Sequence, residues 1–95
     1  MHLNTFTLGG VFLKSIHSDQ YAVLLDIVTT ARNEMGLSQR ELAKLLHKPQ
    51  SYVSKYERGE RRLDIIEFLD LCKVLKLDSC VVLRKLEKRD AKKDQ

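Results

Sequence analysis

The stretch that decides the fold runs from Ser38 to Gly59 and reads SQRELAKLLHKPQSYVSKYERG. Ser38 and Glu41 form a capping box, in which each side chain accepts a hydrogen bond from a free backbone N–H at a helix start. Pro49 cannot continue that helix, but its fixed φ suits the first turn of a new one. Gly59 ends the second helix. The stretch therefore predicts two short helices, at about 39–46 and 49–57, joined by about three residues.

A link this short forces a sharp angle between the two helices, which is the geometry of a helix-turn-helix. Ala43 is small where the helices must approach closely. The apolar side chains predicted to face inward are Leu42, Leu45, Leu46, Val53 and Tyr56. The outer side of the later helix is polar, with Gln50, Ser51, Ser54, Lys55 and Arg58. Such a helix fits the DNA major groove, where Gln can pair with adenine, Lys with guanine and Ser with several base edges.

Helical periodicity continues on both sides of this unit. Leu24, Val28, Ala31 and Met35 share one face and predict a helix at about 19–35, which Gly36 stops. Asp64 and Glu67 open another helix at about 65–76. Its predicted inner face comprises Ile66, Leu69, Cys72 and Leu75, with Phe68 as a further candidate. Asp78 or Ser79 begins a last short helix that ends at about Leu86.

The predicted fold is thus an all-α, five-helix domain in which the second and third helices form the helix-turn-helix. Residues 19–86 make up this domain, preceded by a poorly ordered leader arm at 1–18 and followed by a charged, fraying tail at 87–95. Cys72 and Cys80 do not make a disulfide framework, and we expect both to be buried thiols in a cytoplasmic protein. The sequence contains neither a signal peptide nor an apolar run of membrane-spanning length.

Charge is distributed unevenly along the chain, whose formal net charge is +4. Residues 38–62 carry +4 and residues 84–95 carry +3, whereas 1–37 carry −1 and 63–83 carry −2. Clustered basic charge favours a polyanionic partner. His2, His17 and His47 show no metal-ligand spacing, and no pattern indicates an activated nucleophile. We therefore expect no enzyme activity, metal or cofactor.

The stretch from Ser38 to Gly59 resembles the phage-repressor and Cro-like helix-turn-helix proteins, the XRE family. The resemblance extends over about Leu24 to Leu77. The matching positions are Gln39, Leu42, Ala43, Pro49, Gln50, Ser51, Val53, Ser54, Tyr56, Glu57 and Gly59, followed by the helix LDIIEFLDLCKVLKLD. One position departs from the family pattern. The turn residue that is often Gly in the family is His47 here, which then has to take a left-handed backbone at some cost.

The resemblance implies a role for each of the polar positions. The base-reading residues would be Gln50, Ser51 and Lys55, with Ser54 and Tyr52 beside them. The phosphate-binding residues would be Gln39, Arg40, Lys48, Arg58, Arg61 and Arg62. Gln39 would also brace Gln50. Tyr52 has an alternative role as an aromatic cover of the turn, and we expect Glu57 to form a structural salt bridge with Arg40 or Arg61.

The functional hypothesis is a sequence-specific DNA-binding transcriptional repressor, dimeric on a palindromic double-stranded operator. The candidate dimer residues are Val81, Val82, Leu83 and Leu86, which alternatively close the core. A second hypothesis is an antitoxin or restriction-system controller, in which the leader or the tail binds a protein partner. A third is a protein-interaction domain on the same fold, which failure to bind DNA at low salt would favour.

Overall fold

The computed structural model describes the backbone of residues 18–94 and the side chains of residues 18–88. This part of the chain folds into five α-helices and contains no strand. The helices are α1 (Asp19–Glu34), α2 (Gln39–Leu45), α3 (Gln50–Glu57), α4 (Ile65–Leu75) and α5 (Ser79–Asp94). The all-α fold with five helices is confirmed. The predicted leader lies outside the described residues except for Ser18, and no described helix is long and apolar enough to cross a lipid bilayer.

The helix starts follow the capping signals in the sequence. The Ser38 hydroxyl accepts a hydrogen bond from the backbone N–H of Glu41, whose carboxylate accepts one from the N–H of Ser38. Asp64 and Glu67 form the same reciprocal pair at the start of α4. Each box satisfies two backbone N–H groups that have no partner within the helix, so the chain directions into α2 and α4 are fixed locally.

The helix-turn-helix consists of α2 and α3, which pack closely against each other. Four residues, 46–49, separate the two helices, and Pro49 is the N-cap of α3, one position earlier than its predicted place in the first turn. His47 adopts φ +60, the left-handed conformation expected at this turn. The backbone N–H of Lys48 then donates to the carbonyl of Ala43 and closes the end of α2. Ala43 is buried, as its small size predicts.

The core differs from the predicted inner faces at several apolar positions. Leu42, Val53 and Tyr56 are fully buried, but Met35 and Leu45 are exposed. In α4 the exposed residues include Ile66 and Leu69, whereas Phe68, Leu71, Cys72 and Leu75 face the core. The predicted inner face of α4 is correct for Cys72 and Leu75 and wrong for Ile66 and Leu69. The reason is that α4 is apolar on more than one face, and its sequence does not show which face meets the other helices.

The last helix is longer than predicted and contacts the core differently. It does not end near Leu86 but continues to Asp94, through the segment predicted as a fraying tail. Val82 is buried against the core, and Gln20 of α1 donates a hydrogen bond to the carbonyl of Leu86 at 3.0 Å. Cys80 is exposed, contrary to the expectation of a buried thiol, because it lies on the outer side of the first turn of α5.

Candidate DNA-binding surface

Helix α3 separates its polar and apolar side chains onto opposite sides. At about 100° per residue, positions 50, 51, 54 and 55 share one side, and 52, 53 and 56 lie on the other. Gln50, Ser51 and Lys55 are exposed, and Ser54 is half-buried. The side chains of Gln50 and Ser51 form no hydrogen bond with any other described residue. The structure therefore places four of the five predicted base-reading residues together on an outward-facing surface.

Tyr52 is the exception among the predicted base-reading residues. Its side chain is only 8% exposed, and its ring lies 5.5 Å from that of Tyr56 in an edge-on contact. Lys48 Nζ lies 5.3 Å and Arg61 Cζ 4.8 Å from the centre of the Tyr52 ring, both in cation–π range. Burial raises the pKa of Tyr52 to about 12. This burial favours the alternative that the sequence also offered, in which Tyr52 is an aromatic cover of the turn.

Glu57, the last residue of α3, connects this helix to α1 and α2. Its carboxylate accepts hydrogen bonds from Arg32 Nε at 2.7 Å and Arg32 Nη2 at 3.0 Å. It also accepts one from Gln39 Nε2 at 2.8 Å, at the first residue of α2. Arg32 in turn donates to the carbonyl of Leu37. The predicted structural salt bridge of Glu57 exists, but its partner is Arg32 of α1 and neither Arg40 nor Arg61.

The Gln39 amide is oriented by this contact. Because Nε2 donates to Glu57, only the second N–H of this nitrogen remains for a phosphate oxygen. The expected brace between Gln39 and Gln50 is not formed in the structure, since the only described hydrogen bond of the Gln39 side chain goes to Glu57. Gln39 is therefore held by α3, but through the last residue of that helix instead of its first.

The segment between α3 and α4 contains three arginines, and the carboxylate partners of Arg58 and Arg61 are Glu60 and Glu67. Arg58 Nε lies 2.8 Å from Glu60 Oε2, with both side chains more than half exposed. Arg61 Nη2 lies 2.7 Å from Glu67 Oε2, and its Nη1 lies 2.9 Å from Oε1 of the same carboxylate. These hydrogen bonds hold the pKa of Glu67 below its ordinary value. The predicted phosphate-binding arginines thus lie near the reading helix, with their own acidic partners.

Tyr21 attaches this loop to the first helix. Its hydroxyl accepts a hydrogen bond from the backbone N–H of Leu63 at 3.0 Å and donates one to the carbonyl of Arg61 at 3.4 Å. Arg62 Cζ lies 4.9 Å from the centre of the Tyr21 ring. The path of residues 61–63 beside α3 is therefore set by a side chain about forty positions earlier in the chain.

Sequence reasoning missed the roles of Tyr21, Arg32 and Glu67. Arg32 lay on the polar side of a helix predicted only from its apolar face. Glu67 was identified as a capping residue, which it is, and the same carboxylate also binds Arg61. The sequence signal for the Arg32–Glu57 pair is a basic residue near the end of α1 and an acidic residue at the end of α3. Many other pairs of charged residues fit the same description.

The candidate dimer residues divide into two pairs. Val81 and Leu83 are exposed on α5 and are available to a second molecule. Val82 is buried in the core, and Leu86 packs partly against it, so these two residues close the domain instead. Further exposed apolar side chains lie on α4, namely Ile65, Ile66 and Leu69.

Comparisons with known proteins match both the fold and the motif. A family model described as helix-turn-helix matches residues 29–81. An XRE-family-like protein from Pseudomonas syringae pv. tomato str. DC3000 is 48% identical, with 81% of this chain and 94% of that chain covered and a TM-score of 0.72. A search of curated proteins finds no match.

Other similar structures are those of the restriction-modification controller protein C.Esp1396I. The wild-type controller is 27% identical, with 79% of this chain and 97% of that chain covered and a TM-score of 0.66. The same controller has been solved as a tetramer in complex with its natural 35 base-pair operator; that structure is also 27% identical, covers 75% of this chain and 93% of that chain, and has a TM-score of 0.64. Together these similarities support a DNA-binding transcriptional regulator and do not favour the antitoxin or restriction-controller alternative.

Proposed function

The chain belongs to the XRE family of helix-turn-helix proteins and is a DNA-binding transcriptional regulator, and we propose that it represses transcription by inserting α3 into the major groove of an operator. The observation that carries this proposal is the division of α3 into two sides. The buried side holds the helix in the domain, and the exposed side presents Gln50, Ser51 and Lys55 to solvent.

The chemistry of these three side chains suits base edges. A Gln amide can pair bidentately with adenine, a Lys ammonium can donate to guanine, and a Ser hydroxyl can donate or accept. Ser54 takes a supporting position in this proposal. Its hydroxyl donates to the carbonyl of Ser51 at 3.3 Å, which turns the donor toward the helix and away from the groove.

Backbone contacts would come from the residues around α3. The proposed phosphate-binding set is Gln39, Arg40, Lys48, Arg58 and Arg62, with Arg61 in the same loop but already held by Glu67. Pro49 provides no side-chain cap to α3, so its first N–H groups carry no side-chain acceptor that would compete with a phosphate oxygen. Phosphate contacts of this kind fix the position of the protein on DNA, and base contacts supply the specificity.

We further propose that the protein binds a palindromic operator as a homodimer. A single short helix contacts too few base pairs for tight specific binding, and two helices related by a twofold axis double the contact. Val81 and Leu83 are the members of the predicted dimer set that are exposed, and α4 carries further exposed apolar side chains. The oligomeric operator complex of the similar controller protein supports this arrangement.

Selection of bound sequences from random DNA tests the proposal as a whole. We expect a motif with two inverted half-sites, and transcription in vitro from a promoter carrying that motif should fall when the protein is added. A selected pool with no enriched sequence, or one that enriches a single asymmetric half-site, would contradict specific binding or dimer symmetry respectively. A rise in transcription would make the protein an activator.

Two glutamine substitutions test the assignment of roles. Gln50→Ala should weaken binding to the selected operator by roughly 1–3 kcal/mol and relax preference at one base pair of each half-site. Gln39→Ala is the matched control, because it removes the same group from a phosphate contact and should weaken binding to operator and scrambled DNA alike. An unchanged ratio of operator to scrambled affinity in Gln50→Ala would remove this residue from the reading surface.

A further inference from the structure

The guanidinium of Arg61 is already bound on two sides within the protein. Its Nη1 and Nη2 donate to the two oxygens of the Glu67 carboxylate at 2.9 and 2.7 Å, and Nη1 also donates to the carbonyl of Arg62 at 3.0 Å. One face of the guanidinium lies over the Tyr52 ring, with Cζ 4.8 Å from the ring centre. The paired Nη1 and Nη2 donors, which form one of the two edges with which an arginine can bind a phosphate bidentately, are therefore occupied by an internal carboxylate.

Glu67 is held in place to make this contact. Its side chain is 14% exposed, and its Oε1 also accepts a hydrogen bond from the backbone N–H of Asp64 at 2.9 Å. The backbone N–H of Glu67 donates back to Asp64 Oδ1 at 2.8 Å. A carboxylate fixed by a helix cap does not follow the arginine if the arginine swings away. Displacing Arg61 toward DNA therefore breaks the pair and does not move it as a unit.

The other arginine pair in this loop differs in this respect. Arg58 and Glu60 are two positions apart, and both side chains are more than half exposed. Glu60 has no described contact that fixes its carboxylate besides Arg58. Water screens such a pair strongly, so a phosphate can replace the carboxylate at little cost. Of these two arginines, Arg61 is the one that the fold holds back.

We propose that Glu67 withholds Arg61 from the DNA backbone and so limits the sequence-independent part of the protein's affinity for DNA. This inference rests on the proposed DNA-binding surface and makes Glu67 a positioning residue for it. The protein then binds DNA with one phosphate contact fewer than its basic residues would provide, and the missing contact is restored when the carboxylate is neutralised.

The test measures the salt dependence of binding to a scrambled duplex by the full chain, over roughly 50 to 200 mM salt, where each phosphate contact contributes about 0.9 to the log–log slope. Glu67→Gln removes the charge but keeps the helix cap, because Gln also serves in a capping box. Asp70→Asn is the matched control: it removes one charge from the same helix, at an exposed residue without a described ion pair. Thermal unfolding confirms that each variant is folded.

We expect Glu67→Gln to steepen the slope by about 0.9. The ratio of its affinity for scrambled DNA to that of wild type should then fall about 3.5-fold across the fourfold rise in salt. Asp70→Asn should leave the slope unchanged, and adding Arg61→Ala to Glu67→Gln should restore the wild-type slope. Arg61→Ala alone should leave the wild-type slope as it is. This last comparison stays informative if Glu67→Gln does not fold.

Two results overturn the inference. If the salt slope is shallower in Arg61→Ala than in wild type, Arg61 contacts phosphate despite Glu67. If the slope of folded Glu67→Gln equals that of wild type, the carboxylate does not withhold Arg61. Failure of the proposed function looks different, because selection from random DNA would then enrich no sequence, or wild type would bind no DNA at low salt.

Discussion

Two arginine–glutamate pairs, one at the last residue of α3 and one in the segment that follows it, have nearly equal N–O distances but different surroundings. Arg32 and Glu57 meet at 2.7 Å with side chains only 11% and 7% exposed, whereas Arg58 and Glu60 meet at 2.8 Å with side chains 54% and 53% exposed. The buried pair joins α1 to α3 and also holds Gln39. The same chemistry thus fixes the geometry of the helix-turn-helix in one place and leaves an arginine available to phosphate in the other.

The difference follows from solvation. An exposed ion pair gains little, because water screens the attraction and each charge is solvated equally well alone. A buried pair gives up hydration on both sides, so removing one partner leaves a charge with neither water nor a counterion. The Glu57 hydrogen bonds raise the pKa of Arg32 above its ordinary value, as this strong coupling implies. Substitutions in the two pairs should therefore have effects of different size and kind.

The largest expected effect comes from Arg32→Ala, which leaves the Glu57 carboxylate buried and paired only with Gln39. We expect the free energy of unfolding to fall by about 3 kcal/mol, measured by urea denaturation. Replacing both partners by apolar residues, in Arg32→Met with Glu57→Leu, should restore most of this stability because no buried charge remains. A single substitution that costs no more than an exposed pair would show that water reaches Glu57.

The same double variant separates folding from DNA recognition. It keeps the packing between α1 and α3 but removes the acceptor that orients the Gln39 amide. We expect a folded protein that binds operator and scrambled DNA more weakly by a similar factor, since a phosphate contact carries no sequence information. Unchanged binding would mean that Gln39 does not need Glu57 to meet the backbone.

An intermediate effect is expected at the Arg61–Glu67 pair, and it depends on pH. Hydrogen bonds from Arg61 lower the pKa of Glu67 in the folded protein relative to the unfolded chain. The ionised carboxylate therefore stabilises the fold at neutral pH, and this contribution is lost as pH falls through the lowered pKa. Glu67→Gln should cost less than about 1 kcal/mol at pH 7, and the difference from wild type should vanish in acid.

Denaturation over a pH series measures this effect, and the control uses a background without the arginine. In Arg61→Ala, the same Glu67→Gln substitution should show much less pH dependence, because the largest cause of the lowered pKa has been removed. Equal pH dependence in the two backgrounds would assign the effect to the Asp64 cap, which also binds this carboxylate.

The smallest effect on stability is expected for Arg58→Ala. Both members of the Arg58–Glu60 pair lie in solvent, so the unfolding midpoint should not change measurably. Binding to any DNA should nevertheless weaken, and the log–log salt slope should fall by about 0.9, because the proposed phosphate contact is lost. A lower midpoint with an unchanged slope would reverse the roles assigned to the buried and exposed pairs.

Much of the fold could be predicted because its signals are local. The Ser38–Glu41 and Asp64–Glu67 boxes form as expected, and Gly36 and Gly59 take positive φ at the ends of α1 and α3. Each of these features depends on side chains and backbone within a few residues of one another. The polar outer side of α3 was predictable for the same reason, since a helical period alone places Gln50, Ser51 and Lys55 together.

The errors share a different cause. Leu45, Ile66 and Leu69 were assigned to the core, and Cys80 was expected to be a buried thiol, because they are apolar or commonly buried, but an apolar side chain is buried only where another element covers it. For Tyr52 the sequence left two roles open, and the structure buries its ring because Tyr56 packs beside it and Lys48 and Arg61 lie over it. The extension of α5 beyond Leu86 was missed because its charged residues give no apolar stripe.

The sequence by itself determined the capped starts of α2 and α4, the helix-turn-helix, the family and the side of α3 that faces outward, because these follow from spacing within a few turns. Only the tertiary structure decided which residues the charged groups bind. Arg32 reaches Glu57 across 25 positions of sequence, and Tyr21 reaches the loop before α4 across about forty. Such pairings depend on how packed helices bring distant side chains within hydrogen-bond distance, and no local pattern records them.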